Sequence, residues 1–131
     1  MGITWLSITF SSLMFASSVN TENYILSAEC PLYEQSCDFT VTLEAKKNWR
    51  IKKQTPLKIE LKLPKDAIAT QTTFSQTDLV LENDKRGKLR SKITLGSSKL
   101  DPISMTASFY LCTAQICQRF QKTLKIKTNK M

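Results

Sequence analysis

The chain has 131 residues, a formal net charge of +8 and no histidine. That is room for one domain, and a serine or cysteine nucleophile would lack its usual base, which disfavours hydrolase and transferase chemistry. The carboxylates Glu44, Glu60, Asp66 and Asp78 are scattered without the paired spacing of glycoside chemistry, and no glycine-rich phosphate loop is present.

The first twenty residues, MGITWLSITFSSLMFASSVN, carry no charge, and the first charged side chain is Glu22. Residues 3–16 are largely apolar, and Ala16-Ser17-Ser18 offers small residues where a signal peptidase reads. The stretch falls short of the ~20 apolar residues of a spanning helix. It predicts a signal peptide over 1–18 and an exported domain over 19–131, in the periplasm or outside the cell. All the charge then belongs to the mature domain.

From there the pattern is alternation, the mark of strands with one dry and one wet face. Cys30 and Cys37 bracket six residues. Read as a hairpin loop, these pair Ala28 with Phe39, Leu26 with Val41 and Tyr24 with Leu43. Phe39–Leu43 alternates, and Leu57–Leu63 does so strictly between Pro56 and Pro64. Leu79–Leu81 is a shorter candidate. Lys88–Leu95, Ile103–Leu111 and Leu124–Lys127 alternate again, separated by turn clusters such as Gly96-Ser97-Ser98 and Asp101-Pro102. About seven short antiparallel strands in such a length predict an immunoglobulin-like β-sandwich.

The last hairpin is the most informative stretch. If the four residues between Cys112 and Cys117 form its loop, Ile103 meets Ile126, Met105 meets Leu124 and Phe109 meets Phe120 on one face. Ser104 meets Lys125, Thr106 meets Thr123 and Tyr110 meets Arg119 on the other. A slip of one residue would scramble this sorting. Lys122, opposite Ala107, and Gln118, beside Leu111, are its exceptions. Both cysteines fall on the polar face with Tyr110 and Arg119, the candidate binding residues, so a cross-strand disulfide there would be partly exposed. Cys30 and Cys37 have inward parity, so a bridge between them would be buried and inert.

An exported chain with an even number of cysteines reads first as a disulfide protein. Four cysteines allow three pairings. Chain entropy gives a local bridge about 2 kcal/mol against about 4.5 for a long-range one such as Cys30 to Cys112. Local bridges instead stiffen loop tips, which suits a binding loop, and an exposed one suits thiol exchange. Zinc is disfavoured by the spacings and by the absence of histidine. No metal or other cofactor is expected.

The segments ASFYLCTAQICQRFQKTLKIKT and NWRIKKQTPLKIELKLP resemble a family of exported immunoglobulin-like domains related to the N-terminal periplasmic domain of the thiol:disulfide interchange protein DsbD. The resemblance spans roughly Phe39 to Thr128. In reductase-linked members the cysteine pair on this hairpin accepts electrons and passes them to periplasmic partners. It would make Cys112 and Cys117 the catalytic pair.

Lys58, Lys62, Lys88, Arg90, Lys92, Arg119, Lys125 and Lys127 fall on wet faces. On neighbouring strands they would form a cationic field for lipid headgroups or anionic cell-envelope polymers. Nucleic acid is unlikely, because Tyr110 is nearly alone there as a stacking surface. The expected function is an exported, disulfide-stabilised, non-enzymatic interaction module whose partner is another exported or membrane protein. The alternatives are thiol:disulfide exchange through Cys112 and Cys117, and a sandwich that binds lipid or anionic polymer.

Overall fold

Alternating segments bury one face each only if two sheets close on one another, and a computed structural model has that arrangement. It describes residues 14–33, 36–94 and 102–129. The strands are β1 (Met14–Asn20), β2 (Tyr24–Tyr33), β3 (Ser36–Ala45), β4 (Leu57–Lys62), β5 (Ile68–Ala69), β6 (Thr73–Ser75), β7 (Val80–Asn83), β8 (Arg86–Thr94), β9 (Ile103–Cys112) and β10 (Cys117–Asn129). One sheet runs β5–β8–β3–β2–β1, with β7 also against β8, and the other runs β10–β9–β4–β6. All pairs are antiparallel. Met14–Ala16 of β1 also pair with Lys127–Asn129 of β10, which joins the sheets along one side.

The dry faces meet as the alternation requires. Leu26, Phe39, Leu89 and Ile93 from the first sheet, with Phe74, Ile103, Met105, Phe109 and Ile126 from the second, are among the largest fully buried side chains. In β4 burial alternates residue by residue, with Leu57, Ile59 and Leu61 inside and Lys58, Glu60 and Lys62 outside. Ser91 is the buried polar residue of the core, and its hydroxyl donates to the Gln71 carbonyl at 2.9 Å.

The immunoglobulin-like sandwich is thus the observed fold, with more strands than the seven expected. β5 and β6 are too short to show a period. Residues 1–13 of the expected leader lie outside the described residues, as do Gly96-Ser97-Ser98 and Asp101. Residues 14–18 form the start of β1, where the sequence suggested no strand.

The β9–β10 register matches the sequence expectation at every pair, from Ile103 with Ile126 to Cys112 with Cys117. The β2–β3 hairpin differs. Tyr24 pairs with Ala45, Leu26 with Leu43 and Ala28 with Val41, and Leu32 pairs with Cys37. The strands therefore continue past the cysteines to Tyr33 and Ser36, instead of closing over a six-residue loop. The shift is two residues, so each side chain keeps its expected face.

Gly87 shows how tightly the β8 side is filled. It stands between Leu43 and Leu81 in the sheet. A Cβ there would lie 3.0 Å from both Leu79 Cδ1 and Leu81 Cδ2. Because both leucines would have to give way, Gly87→Ala is expected to destabilise the fold by about 1–3 kcal/mol. Urea unfolding would check this, and an unchanged midpoint would show that the leucines repack freely.

Candidate functional site

The β9–β10 tip is built from local sequence first. The Thr113 N–H donates to the Ile116 carbonyl at 2.7 Å. The Thr113 hydroxyl accepts from the N–H groups of Gln115 and Ile116, each at 3.2 Å. A threonine that satisfies its own turn fixes the four-residue loop. The Cys112–Cys117 disulfide closes its base, with the α-carbons 3.9 Å apart. Ile116, 57% exposed, projects from this tip.

The two sulfurs are not equivalent. Cys117 is exposed, while Cys112 is 0% exposed despite its outward parity. The expectation of a partly exposed pair therefore holds for Cys117 only. Arg50 N–H donates to the Cys112 carbonyl at 2.8 Å and Cys112 N–H to the Arg50 carbonyl at 3.0 Å, so the 49–51 segment lies along the strand there.

That segment is itself held by charges placed inside loops. Lys85 Nζ donates to the carbonyls of Lys47 and Trp49, and Lys46 Nζ to Asn20 Oδ1 and the Thr21 carbonyl. Arg50 forms an ion pair with Asp84, and Ile51 N–H donates to the Asp84 carbonyl at 2.7 Å. Lys47 takes a left-handed conformation, with φ 57°, to make this turn. Part of the basic excess is thus spent on holding loops together.

Beneath the tip lies an aromatic cluster. Tyr24 meets Phe109 edge-on at 5.1 Å and Phe120 at 5.3 Å, and Trp49 meets Phe120 at 5.5 Å. Phe109 stacks on Phe120 at 5.9 Å. Such pairs contribute about 0.5–1.5 kcal/mol each beyond their buried area. The Trp49 indole N–H donates to Asn23 Oδ1 at 3.0 Å, and burial raises the Tyr24 phenol above its ordinary 10.0.

Tyr110 and Arg119 face each other across the strands on the same side as Cys117. Arg119 Nε donates to Ser108 Oγ at 3.1 Å. The structure thus brings Cys112, Cys117, Tyr110 and Arg119 to one hairpin. Cys30 and Cys37 form the second disulfide, buried at 0% and 2% exposure. They lie apart, since Cys30 is six residues along β2 from Tyr24, or ~20 Å. Lys122 is exposed although it is paired with Ala107 and has inward parity, in the stretch 117–126 where β10 pairs, among the described residues, with β9 only.

The outward cations do not merge into one field. Lys88, Arg90 and Lys92 lie on the first sheet, and Lys58, Lys62, Arg119 and Lys125 on the second. Lys127 is in β10, with its side chain outside the described residues. On β8, Lys88 pairs with Glu82 at 3.2 Å, and the neighbouring Arg86 pairs with Glu82 at 3.3 Å and Glu44 at 3.9 Å. A crevice at the core margin, lined by Leu43, Ile51, Leu57, Leu79 and Phe109 among others, measures about 10 Å³. That is no more than one water's space, and an acyl chain does not fit.

No protein-family model and no curated protein matches the chain. Among solved structures, it is similar to the GAE domain of yeast GGA1 at 12% identity and TM-score 0.52, covering 84% of this chain and 96% of that one. It is similar to the GAE domain of GGA2p from Saccharomyces cerevisiae at 9% identity and TM-score 0.54, over the same shares. At these identities the likeness establishes the fold, an immunoglobulin-like sandwich of the kind found in gamma-adaptin ear domains.

Replacing Cys112 and Cys117 together by serine is expected to cost about 2 kcal/mol, the value for so short a loop. Phe109→Ala, which opens the centre of the aromatic cluster, is expected to cost about 3–5 kcal/mol. Denaturant midpoints of the two variants would check the order. A larger loss from the cysteines would make the bridge, not the cluster, the main support of this end.

Proposed function

We propose that the chain is an exported, non-enzymatic interaction module whose partner is another exported or membrane protein. The observation that carries this reading is the β9–β10 tip, which presents an exposed Ile116 on a disulfide-closed, threonine-capped turn backed by packed aromatics. A rigid apolar tip loses little conformational entropy when it docks, so more of its contact energy appears as affinity. Two disulfides fit an oxidising compartment, and the uncharged start of the chain fits a secretory leader, whose cleavage after residue 18 would take Met14–Ser18 from β1.

A photocrosslinking residue at position 116 in the native host should give one discrete protein adduct, and the same residue at position 115 should give that adduct too, lost when Ile116 is replaced by aspartate. A residue at position 68, on the short β5, should give none. Failure at 116, 110 and 119 alike would sink the reading. The mature mass would test export separately, and a chain that keeps residues 1–18 in the cytoplasm would overturn that part.

The exposure difference at the bridge favours a second reading, thiol:disulfide exchange, as in the relatives of DsbD. A thiolate of a partner dithiol attacks the sulfur of Cys117, the exposed residue of the pair, and the Cys112 thiolate leaves as the mixed disulfide forms. The partner's second thiol then attacks its own sulfur in that bond and releases Cys117. The partner is oxidised to a disulfide and this pair is reduced to a dithiol, a transfer of two electrons. Redox titration with mass spectrometry of each pair separates the readings. A structural bridge stays oxidised to below about −300 mV, whereas an exchanging Cys112–Cys117 is reduced at milder potential with the fold intact.

A further inference from the structure

We infer that the free edge of β10 binds its partner by strand addition, and that the segment it accepts is an extended acidic peptide. This rests on the interaction-module reading and specifies how and what it binds. Over 117–126, β10 pairs among the described residues with β9 alone, and β1 reaches it at Lys127–Asn129. The other open edges are those of β5, β6 and β7, with two, three and four residues, and the Ser17–Asn20 end of β1. β10 is therefore the longest unpaired edge among the described residues.

The backbone on that edge is oriented for pairing. The polar groups of Cys112 point away from β10, into the two hydrogen bonds with Arg50. Cys112 and Cys117 are consequently a non-hydrogen-bonded pair, and the antiparallel alternation carries this forward by twos. The N–H and C=O groups of Cys117, Arg119, Gln121, Thr123 and Lys125 face the open side. An added strand would complete this row of backbone hydrogen bonds, as in β-augmentation.

Charge selects the occupant. Arg119, Lys122 and Lys125 are exposed and take no ion pair among the described residues, whereas Arg86 and Lys88 on β8 are paired with acids. In the register with the two-fold at Lys122, a second copy is a poorer occupant than an acidic strand. Two β10 edges related by a two-fold at Lys122 would set Arg119 against Lys125 and Lys122 against its own counterpart. Like charges directly opposite are destabilising. An acidic strand removes that repulsion. It sets carboxylates beside Arg119 and Lys125 on the outer face and an apolar side chain beside the half-buried Phe120 on the inner face.

The probe is a labelled octapeptide of alternating Glu and Val, titrated into the disulfide-intact domain. Micromolar binding that weakens with salt is expected, with at least about tenfold weaker binding of a Lys/Val peptide. N-methylation of alternate amides should abolish binding. Amide exchange should slow at Arg119, Gln121 and Thr123 and stay unchanged in β6 and β7. The triple variant Arg119→Glu, Lys122→Glu, Lys125→Glu, with its melting unchanged, should reverse the preference between the peptides. Absent binding, indifference to N-methylation, or protection at another edge would each overturn the inference. A partner crosslinked through Ile116 alone would sink strand addition but leave the interaction module standing, while no partner at any surface would sink that broader reading.

Discussion

The antiparallel register of β9 against β10 is the constraint on which the remaining geometry depends. It places Phe109 and Phe120 on the inner face, where Tyr24 and Trp49 close over them. It also places Tyr110 and Arg119 on the outer face. A one-residue slip would exchange these faces and put Lys125 where Leu124 is buried. The disulfide at 112 and 117 joins the strands where the register begins, so the apolar pattern and the covalent link enforce the same alignment. Local and long-range preferences agree, which is the condition for a single well-formed hairpin.

Both sheets carry paired and unpaired cations. On β8, Arg86 and Lys88 pair with Glu44 and Glu82, while the exposed Arg90 and Lys92 take no ion pair among the described residues. At the loop end, Lys46 and Lys85 are enclosed by carbonyl and amide oxygens. On the second sheet Lys58 pairs with Glu60, while Lys62, Arg119, Lys122 and Lys125 take no ion pair among the described residues, around a hydroxyl-bearing surface formed by Ser104, Thr106 and Ser108 of β9. Exposed ion pairs add little stability, so the unpaired cations matter more for what approaches the protein than for whether it folds.

Several features were legible in the sequence because a physical pattern carried them. The β9–β10 pairing was legible because its alternation is long and its cysteines mark both ends. The β2–β3 pairing was legible in its faces but not in its register, since a shift of two residues preserves inside and outside. Only the turn length distinguishes the two arrangements, and alternation does not encode it. β1 was hidden because uncharged residues ending in small serines read as a cleavage region. Nothing in the sequence around Cys112 reveals its burial, where Arg50 arrives from sixty-two residues earlier in the chain. Lys122 was a visible anomaly, and its setting is tertiary: among the described residues, that stretch of β10 pairs with β9 only.

A core filled by large side chains leaves function to edges, tips and faces. Here these converge on one strand. β10 carries the exposed cysteine of its disulfide, the cation facing Tyr110, and the longest free edge among the described residues. A bridge at the base of that strand limits fraying at the residues that would meet an added segment, so thiol exchange there and strand addition would be mechanically coupled. If a partner thiol opened the bridge, Cys117 would lose its tether to β9 while Cys112 remained held through Arg50. The free edge would loosen from its tip inward, at Arg119 before Lys125. The oxidation state of one pair would then set how well the edge is organised for pairing, and binding and exchange would be two states of the same hairpin.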